Sequence, residues 1–225
     1  MLPLFPLGHV LLPGAGLPLR VFEPRYRALL ADVTAPGGRN AFGVVALTAG
    51  LEVDSPLVEQ HPEFAEVGTV AEIMDVQPAP DGTSALLAVG SRRFRIVRVL
   101  DPASAGTPYV QAEVDYLDEP VGDLPDALPE SARALSAEYL RLLARLTDSD
   151  TEPEPYPNDP VALSYRITME APLAPGDQQS LLTELTATGR LHRLVRILRR
   201  EVVLVRRTRS VAIAPGLLNA TLRPN

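Results

Sequence analysis

Apolar residues run in short blocks through the first half of the chain and then change to three- and four-residue spacing. Up to about residue 117 the blocks predict strands over residues 2–5, 9–12, 17–21, 42–47, 68–76, 84–90, 94–100 and 109–117. Turn chemistry separates them at Pro13-Gly14, Pro36-Gly37-Gly38, Pro80-Asp81-Gly82 and Asp101-Pro102. Asp81-Gly82 between two apolar runs predicts a hairpin. One helix interrupts the strands. Pro24 suits a first helical position, and Tyr26, Leu29, Leu30 and Val33 then share one stripe. Alternation is poor in several strands; Arg95-Ile96-Val97-Arg98-Val99 puts apolar side chains on both faces. That pattern suits a small closed or folded-over barrel whose outside is partly covered by other elements.

Helical period takes over beyond an acidic, proline-containing connection at residues 119–129. Leu135, Tyr139, Leu142, Leu143 and Leu146 predict a helix over 129–146. Asp159-Pro160 is an N-cap followed by proline and predicts a helix to about Met169. Asp177 is expected to cap a helix to Leu185, and Thr188 the last and longest, to about Arg207, with Leu191, Leu194, Val195, Leu198 and Val202 as its apolar stripe. The expected organisation is α+β: a β-rich subdomain at 1–117, a helical subdomain at 118–210 and a tail at 211–225.

Composition narrows the function classes. A hydrophobic content of 46% supports a real core. The chain has no cysteine, so disulfides and thiolate zinc sites are ruled out and a reducing, cytoplasmic setting is expected. His9, His61 and His192 are far apart and lack the close pairing of metal ligands. A net charge of −7 argues against nucleic acid as a partner. The apolar start has no basic residue before it and is broken by Pro3, Pro6, Pro13 and Pro18, so neither a signal peptide nor a membrane span is expected.

The opening Leu2-Pro3-Leu4-Phe5-Pro6-Leu7, then Leu12-Pro13-Gly14, Leu17-Pro18-Leu19 and Phe22-Glu23-Pro24-Arg25-Tyr26-Arg27, resembles the amino-terminal domain of Lon proteases. The likeness continues through Val67–Ile73 with Pro80–Thr83, Gly90–Ile96, Asp159–Leu163 and Asp177–Leu182, in order over roughly residues 2–207. It implies a PUA-like β-barrel followed by a helical bundle. It further implies a non-catalytic module, with no cofactor, that binds unfolded or tagged proteins for an ATPase and peptidase. Free-standing bacterial copies of the domain exist, and a related domain serves as a binding scaffold in a eukaryotic ubiquitin-ligase receptor. All 21 basic residues are arginine. The lysine of a P-loop and the lysine of a Ser–Lys dyad, both needed by a complete Lon, are therefore missing from this sequence. The expected partner is an unfolded or specific client protein, with a protease acting in trans as a further partner.

The expected protein-binding residues are Leu12, Leu17, Leu19, Arg20, Glu23, Arg25, Tyr26 and Arg92. Arginine forks could hold peptide carbonyls or carboxylates, and the leucines could offer an apolar groove. The plainer reading has Glu23 at a helix start, arginines paired locally and leucines in the core. Two other functions compete. A hydrolase could use an unrecognised site at Ser91 or Ser164, but nothing in the sequence nominates a base. A PUA-like protein could bind RNA, but no aromatic-interleaved basic surface accompanies the arginines. The last helix carries Arg190, Arg193, Arg196, Arg199, Arg200, Arg206, Arg207 and Arg209, while residues 113–159 are strongly acidic. The two are expected to pair, or else the helix meets an acidic partner.

Overall fold

A computed structural model describes residues 1–47, 64–100, 102–147 and 155–208. The expected tail at 211–225 lies outside the described residues. Contacts group the chain into two compact units, Met1–Leu117 and Asp118–Asn225. Among the described residues the class is α+β, with one six-stranded sheet and six helices.

The strands of the first unit are β1 (Leu2–Leu7), β2 (Gly16–Val21), β3 (Ala41–Ala46), β4 (Val67–Pro78), β5 (Ser84–Leu100) and β6 (Gln111–Tyr116). Helix α1 (Pro24–Thr34) joins β2 to β3, and a four-residue turn of helix, α2 (Pro102–Ala105), follows β5. The sheet order is β2-β5-β4-β3-β1-β6, and β5 pairs with β6 as well. Only β1 and β3 run parallel. Pro18 is tolerated in β2 because that strand is an edge, where a missing ladder donor costs least.

Two expectations fail here for stated reasons. Residues 9–12 form no strand. Their carbonyls are used elsewhere instead: that of Leu11 accepts from Thr69 Oγ1 at 2.7 Å, and that of Leu12 accepts from Ala15 N in the following turn at 3.0 Å. The expected break after Gly90 is also absent, since residues 84–100 form one strand. Gly90 marks a close approach: a Cβ there would lie 2.2 Å from the Leu12 carbonyl oxygen.

Apolar side chains on both faces of the strands have a clear destination. Phe42 and Val44 of β3 join one core cluster with Phe5, Tyr26, Leu29, Leu30 and Val33, so α1 covers that side. Phe5 stacks on Tyr26 with ring centroids 4.0 Å apart. Val45, with Leu2, Leu4, Val70, Phe94 and Ala112, forms a second cluster. Tyr109 is buried and donates to Asp32 Oδ2 of α1 at 2.6 Å. Desolvation, aided by that carboxylate, raises its pKa to about 12.

The second unit holds α3 (Ala127–Thr147), α4 (Pro160–Glu170), α5 (Pro175–Thr183) and α6 (Ala187–Thr208). One apolar cluster joins them, including Leu128, Tyr139 and Leu143 of α3, Leu163 and Ile167 of α4, Leu181 of α5, and Leu191, Leu194 and Leu198 of α6. Asp159 caps α4 as expected, accepting from Ala162 N at 2.7 Å. The other two caps differ. Helix α5 begins at Pro175, which leaves Asp177 in its first turn. Thr186, not Thr188, caps α6, accepting from Gly189 N at 2.9 Å, while the Thr188 hydroxyl donates to the Val121 carbonyl at 2.7 Å. Two threonines at this spacing compete for one cap, and the connection consumes the second.

Two measurements follow from this packing. A Cβ on Gly68 would sit 2.3 Å from the Val44 carbonyl oxygen and 2.7 Å from Phe94 Cζ. Gly68→Ala should therefore destabilise the β unit by about 1–3 kcal/mol, read from urea unfolding. Tyr109 holds its proton in the fold to about pH 12, whereas an unfolded tyrosine loses it near ~10. Between those values the unfolded state binds fewer protons, so stability should fall as pH rises through that window. Tyr109→Phe should flatten the fall, checked by unfolding at stepped alkaline pH.

Candidate functional site

The segment from β2 into α1 meets the tip of the β4–β5 hairpin. Arg20 Nη2 lies 3.2 Å from Asp81 Oδ2. Asp81 Oδ1 accepts from Thr83 N at 3.0 Å and Thr83 Oγ1 at 2.7 Å, and these bonds, more than Arg20, hold its carboxyl below the usual range. Gly82 takes a positive φ of 76°, which the tight turn requires of a glycine. Glu23 occupies the N-cap position of α1, but its side chain makes no cap bond. Instead its carboxylate accepts from Arg25 Nε at 2.8 Å, and Arg25 lies over the Tyr26 ring at 4.7 Å.

The expected binding residues thus separate by depth. Leu12, Leu17 and Tyr26 are buried, Leu19 is half-buried, and Arg20, Arg25 and Arg92 are exposed. Arg92 lies over the Tyr116 ring at 4.5 Å, while its neighbour Arg93 points inward and is buried.

Apolar residues that sequence reasoning did not nominate lie beside the exposed arginines. Along β2, β5 and β4 the cross-strand pairs Pro18↔Leu87 and Asp75↔Leu87 are exposed, as is Arg20↔Ala85. The β4 register shifts between Ile73 and Asp75, so Met74 is the extra residue of a bulge. The bulge aims Met74 to solvent, 65% exposed, in step with Leu87 at 46%. Phe22 follows β2 and is 62% exposed. The result is an apolar strip on one sheet face, edged by Arg20 and Asp75. A bulge depends on how two strands register, so no single-strand pattern could have revealed it.

In the helical unit the prominent charged centre is structural. Arg190 is fully buried: Nη2 donates to Glu119 Oε2 at 2.8 Å, Nε to Ser164 Oγ at 2.8 Å and Nη1 to the Glu184 carbonyl at 3.2 Å. Its guanidinium stacks over Tyr165 at 4.1 Å, and Tyr165 Oη donates to Glu119 Oε1 at 2.7 Å. Ser164 is buried; its hydroxyl donates to the Val161 carbonyl at 2.7 Å and accepts from Arg190, which removes it as a candidate nucleophile. Ser91 is half-buried, with its hydroxyl 3.4 Å from the Val70 carbonyl. Among the described residues no cluster of three or more His, Cys, Asp or Glu could hold a metal; His61 lies outside them. No helix among them is long and apolar enough to cross a membrane.

The model of the ATP-dependent protease La (LON) substrate-binding domain matches residues 1–200. The chain belongs to this family. Lon protease 1 of Herpetosiphon aurantiacus is 26% identical over 213 residues, which covers 90% of this chain and 24% of that protein. Lon protease of Escherichia coli is 28% identical over 141 residues, covering 62% of this chain and 18% of that protein. The chain therefore spans about a quarter of the length of the curated relatives it matches. The crystal structure of a Lon N-terminal domain protein from Xanthomonas campestris superposes with a TM-score of 0.63 at 31% identity, covering 87% of this chain and 96% of that one. The N-terminal domain of a Mycobacterium avium complex Lon protease shares the fold at 18% identity and a TM-score of 0.58. The likeness is to the Lon substrate-binding domain, and that domain contains neither the ATPase nor the peptidase.

Within this Lon-type domain, breaking the buried ion pair should be costly. Arg190→Met leaves the Glu119 carboxylate without its guanidinium and Ser164 without a donor. Glu119 is partly exposed, which places the expected loss near the low end for buried pairs, about 3 kcal/mol. Denaturant unfolding followed by helix signal checks it; a loss under about 1 kcal/mol would mean that water replaces the pair.

Proposed function

We propose that this chain is a non-catalytic polypeptide-recognition module that binds unfolded or specific client proteins in protein quality control. The supporting observation is the apolar strip of Met74, Leu87 and Pro18, with Phe22 near it and the exposed guanidinium of Arg20 at its edge. Exposed apolar side chains gathered on one face mark an interaction surface. Guanidinium forks beside them hold peptide carbonyls or acidic side chains. Arg20, Glu23, Arg25 and Arg92 form the polar contacts of this reading, Leu19 contributes at the margin, and Leu12, Leu17 and Tyr26 support the surface from below. The circuit of pairings from β5 through β4, β3, β1 and β6 back to β5 is the PUA-like barrel of this reading, and the four helices are its bundle. A protease acting in trans receives the bound client. The setting is the cytoplasm, a reducing compartment to which a cysteine-free chain is suited.

Fluorescence anisotropy of a labelled, permanently unfolded protein, titrated with the chain in the absence of nucleotide, tests the reading. Saturable binding with the label uncleaved is expected. Met74→Asp with Leu87→Asp should weaken binding about tenfold, a loss near 1.4 kcal/mol, while circular dichroism stays unchanged. An unaffected double variant would move the site off this face. No binding at protein concentrations on the order of tens of micromolar, a level weaker than about −6 kcal/mol, would overturn the general-client reading.

A further inference from the structure

Helix α6 divides its arginines into two sets. Arg193 pairs with Glu184, Arg200 with Asp177 at 2.5 Å and with Glu201 at 2.7 Å, and Arg206 with Glu138 at 2.5 Å. Arg196, Arg199 and Arg207 are exposed and make no ion pair or hydrogen bond among the described residues. At 100° per residue, Arg196, Val203 and Arg207 fall on one line, with Arg199 and Arg200 on either side. Glu201, the sole acid of the helix, is buried on the opposite side. Val203 and Leu204 stay exposed between the arginines. Beside Arg196 an open depression of about 310 Å³ is lined by Asp177, Ser180, Arg193, Ile197 and Arg200.

We propose that this outward face of α6 docks an extended acidic polypeptide segment with Asp or Glu at every second position. This rests on the reading of the chain as a polypeptide-binding module but uses a surface of the helical unit. Charge complementarity selects the partner: among the described residues Arg196, Arg199 and Arg207 have no acid beside them, whereas Arg193, Arg200 and Arg206 already do. Arg196 to Arg207 spans roughly 16 Å along the helix, the length of about five extended residues. In an extended segment alternate side chains share one face, so carboxylates at every second position meet Arg196, Arg199 and Arg207 while the intervening side chains face away from the helix. Nucleic acid fits less well. Helix α6 has no Phe, Tyr or Trp on which a base could stack, its one ring being the exposed imidazole of His192, and a net charge of −7 repels a long polyanion.

The test is anisotropy of a labelled peptide alternating Glu with Leu, titrated with the full chain beside the unfolded-protein probe of the previous section. Saturable binding is expected, weakened at about 0.5 M salt because the contacts are exposed. Arg196→Glu, Arg199→Glu and Arg207→Glu together should cost at least about tenfold. The corresponding lysine triple variant should keep most of the affinity. Since none of the three side chains makes a bond among the described residues, circular dichroism should be unchanged in both variants. The glutamate variant should still bind the unfolded protein, which also verifies that it folds. Failure of the Glu–Leu peptide while the unfolded protein binds would overturn this inference alone, whereas failure of both probes would overturn the module reading with it. Peptide binding that survives charge reversal would place the acidic segment elsewhere. A labelled single-stranded oligonucleotide binding more tightly than the peptide, and lost in the same variant, would replace it with nucleic acid.

Discussion

Strand β5 has to satisfy three neighbours with one backbone. Its first half lies between β2 and β4, and its second half pairs with β6. Seventeen residues cannot stay flat and serve both halves, because each strand rotates relative to the next and the mismatch accumulates. The register shifts between Thr69 and Ala71, between Ile73 and Asp75, and between Ile96 and Arg98 absorb it. Each shift displaces a side chain. Met74 and Val97, the latter 55% exposed, are apolar residues left facing solvent by that adjustment. The surface chemistry of the β unit is thus a by-product of how its longest strand bends.

This account explains what could be read in the sequence. Local signals were sufficient wherever a local bond decides the outcome. Asp159 caps α4 through a contact three residues away, Asp81-Gly82 makes its turn from its own backbone, and the stripe of α1 meets its core as spaced. The signals failed where a distant partner decides. Gly90 looks like an interruption until Leu12 is known to pass beside it. Residues 9–12 look like a strand until their carbonyls are seen serving Thr69 and the neighbouring turn. Thr188 looks like a cap until the connection at Val121 claims its hydroxyl.

The candidate surface follows the same rule. Arg20 and Arg25 were legible because arginine announces its chemistry, and the structure leaves both exposed. Leu12 and Leu17 were ambiguous between groove and core, and burial assigns them to the core. Met74 and Leu87 were invisible, since an apolar residue in a strand is ordinarily read as interior. In the helical unit Glu119 and Arg190 lie 71 positions apart, and only the fold joins them. The expected pairing of the acidic stretch with the last helix is present at Glu119–Arg190 and Glu138–Arg206, while other arginines of that helix take acids from α5, its following turn, or α6 itself.

The exclusive use of arginine gives the surface of α6 an unusual constancy. A guanidinium does not release its proton under any condition in which a protein stays folded, and Arg200, held by the Asp177 carboxylate, is shifted further from doing so. The positive charge that its arginines give this surface is therefore the same at every pH at which the protein stays folded, whereas a surface built on lysine would lose charge as the medium became alkaline.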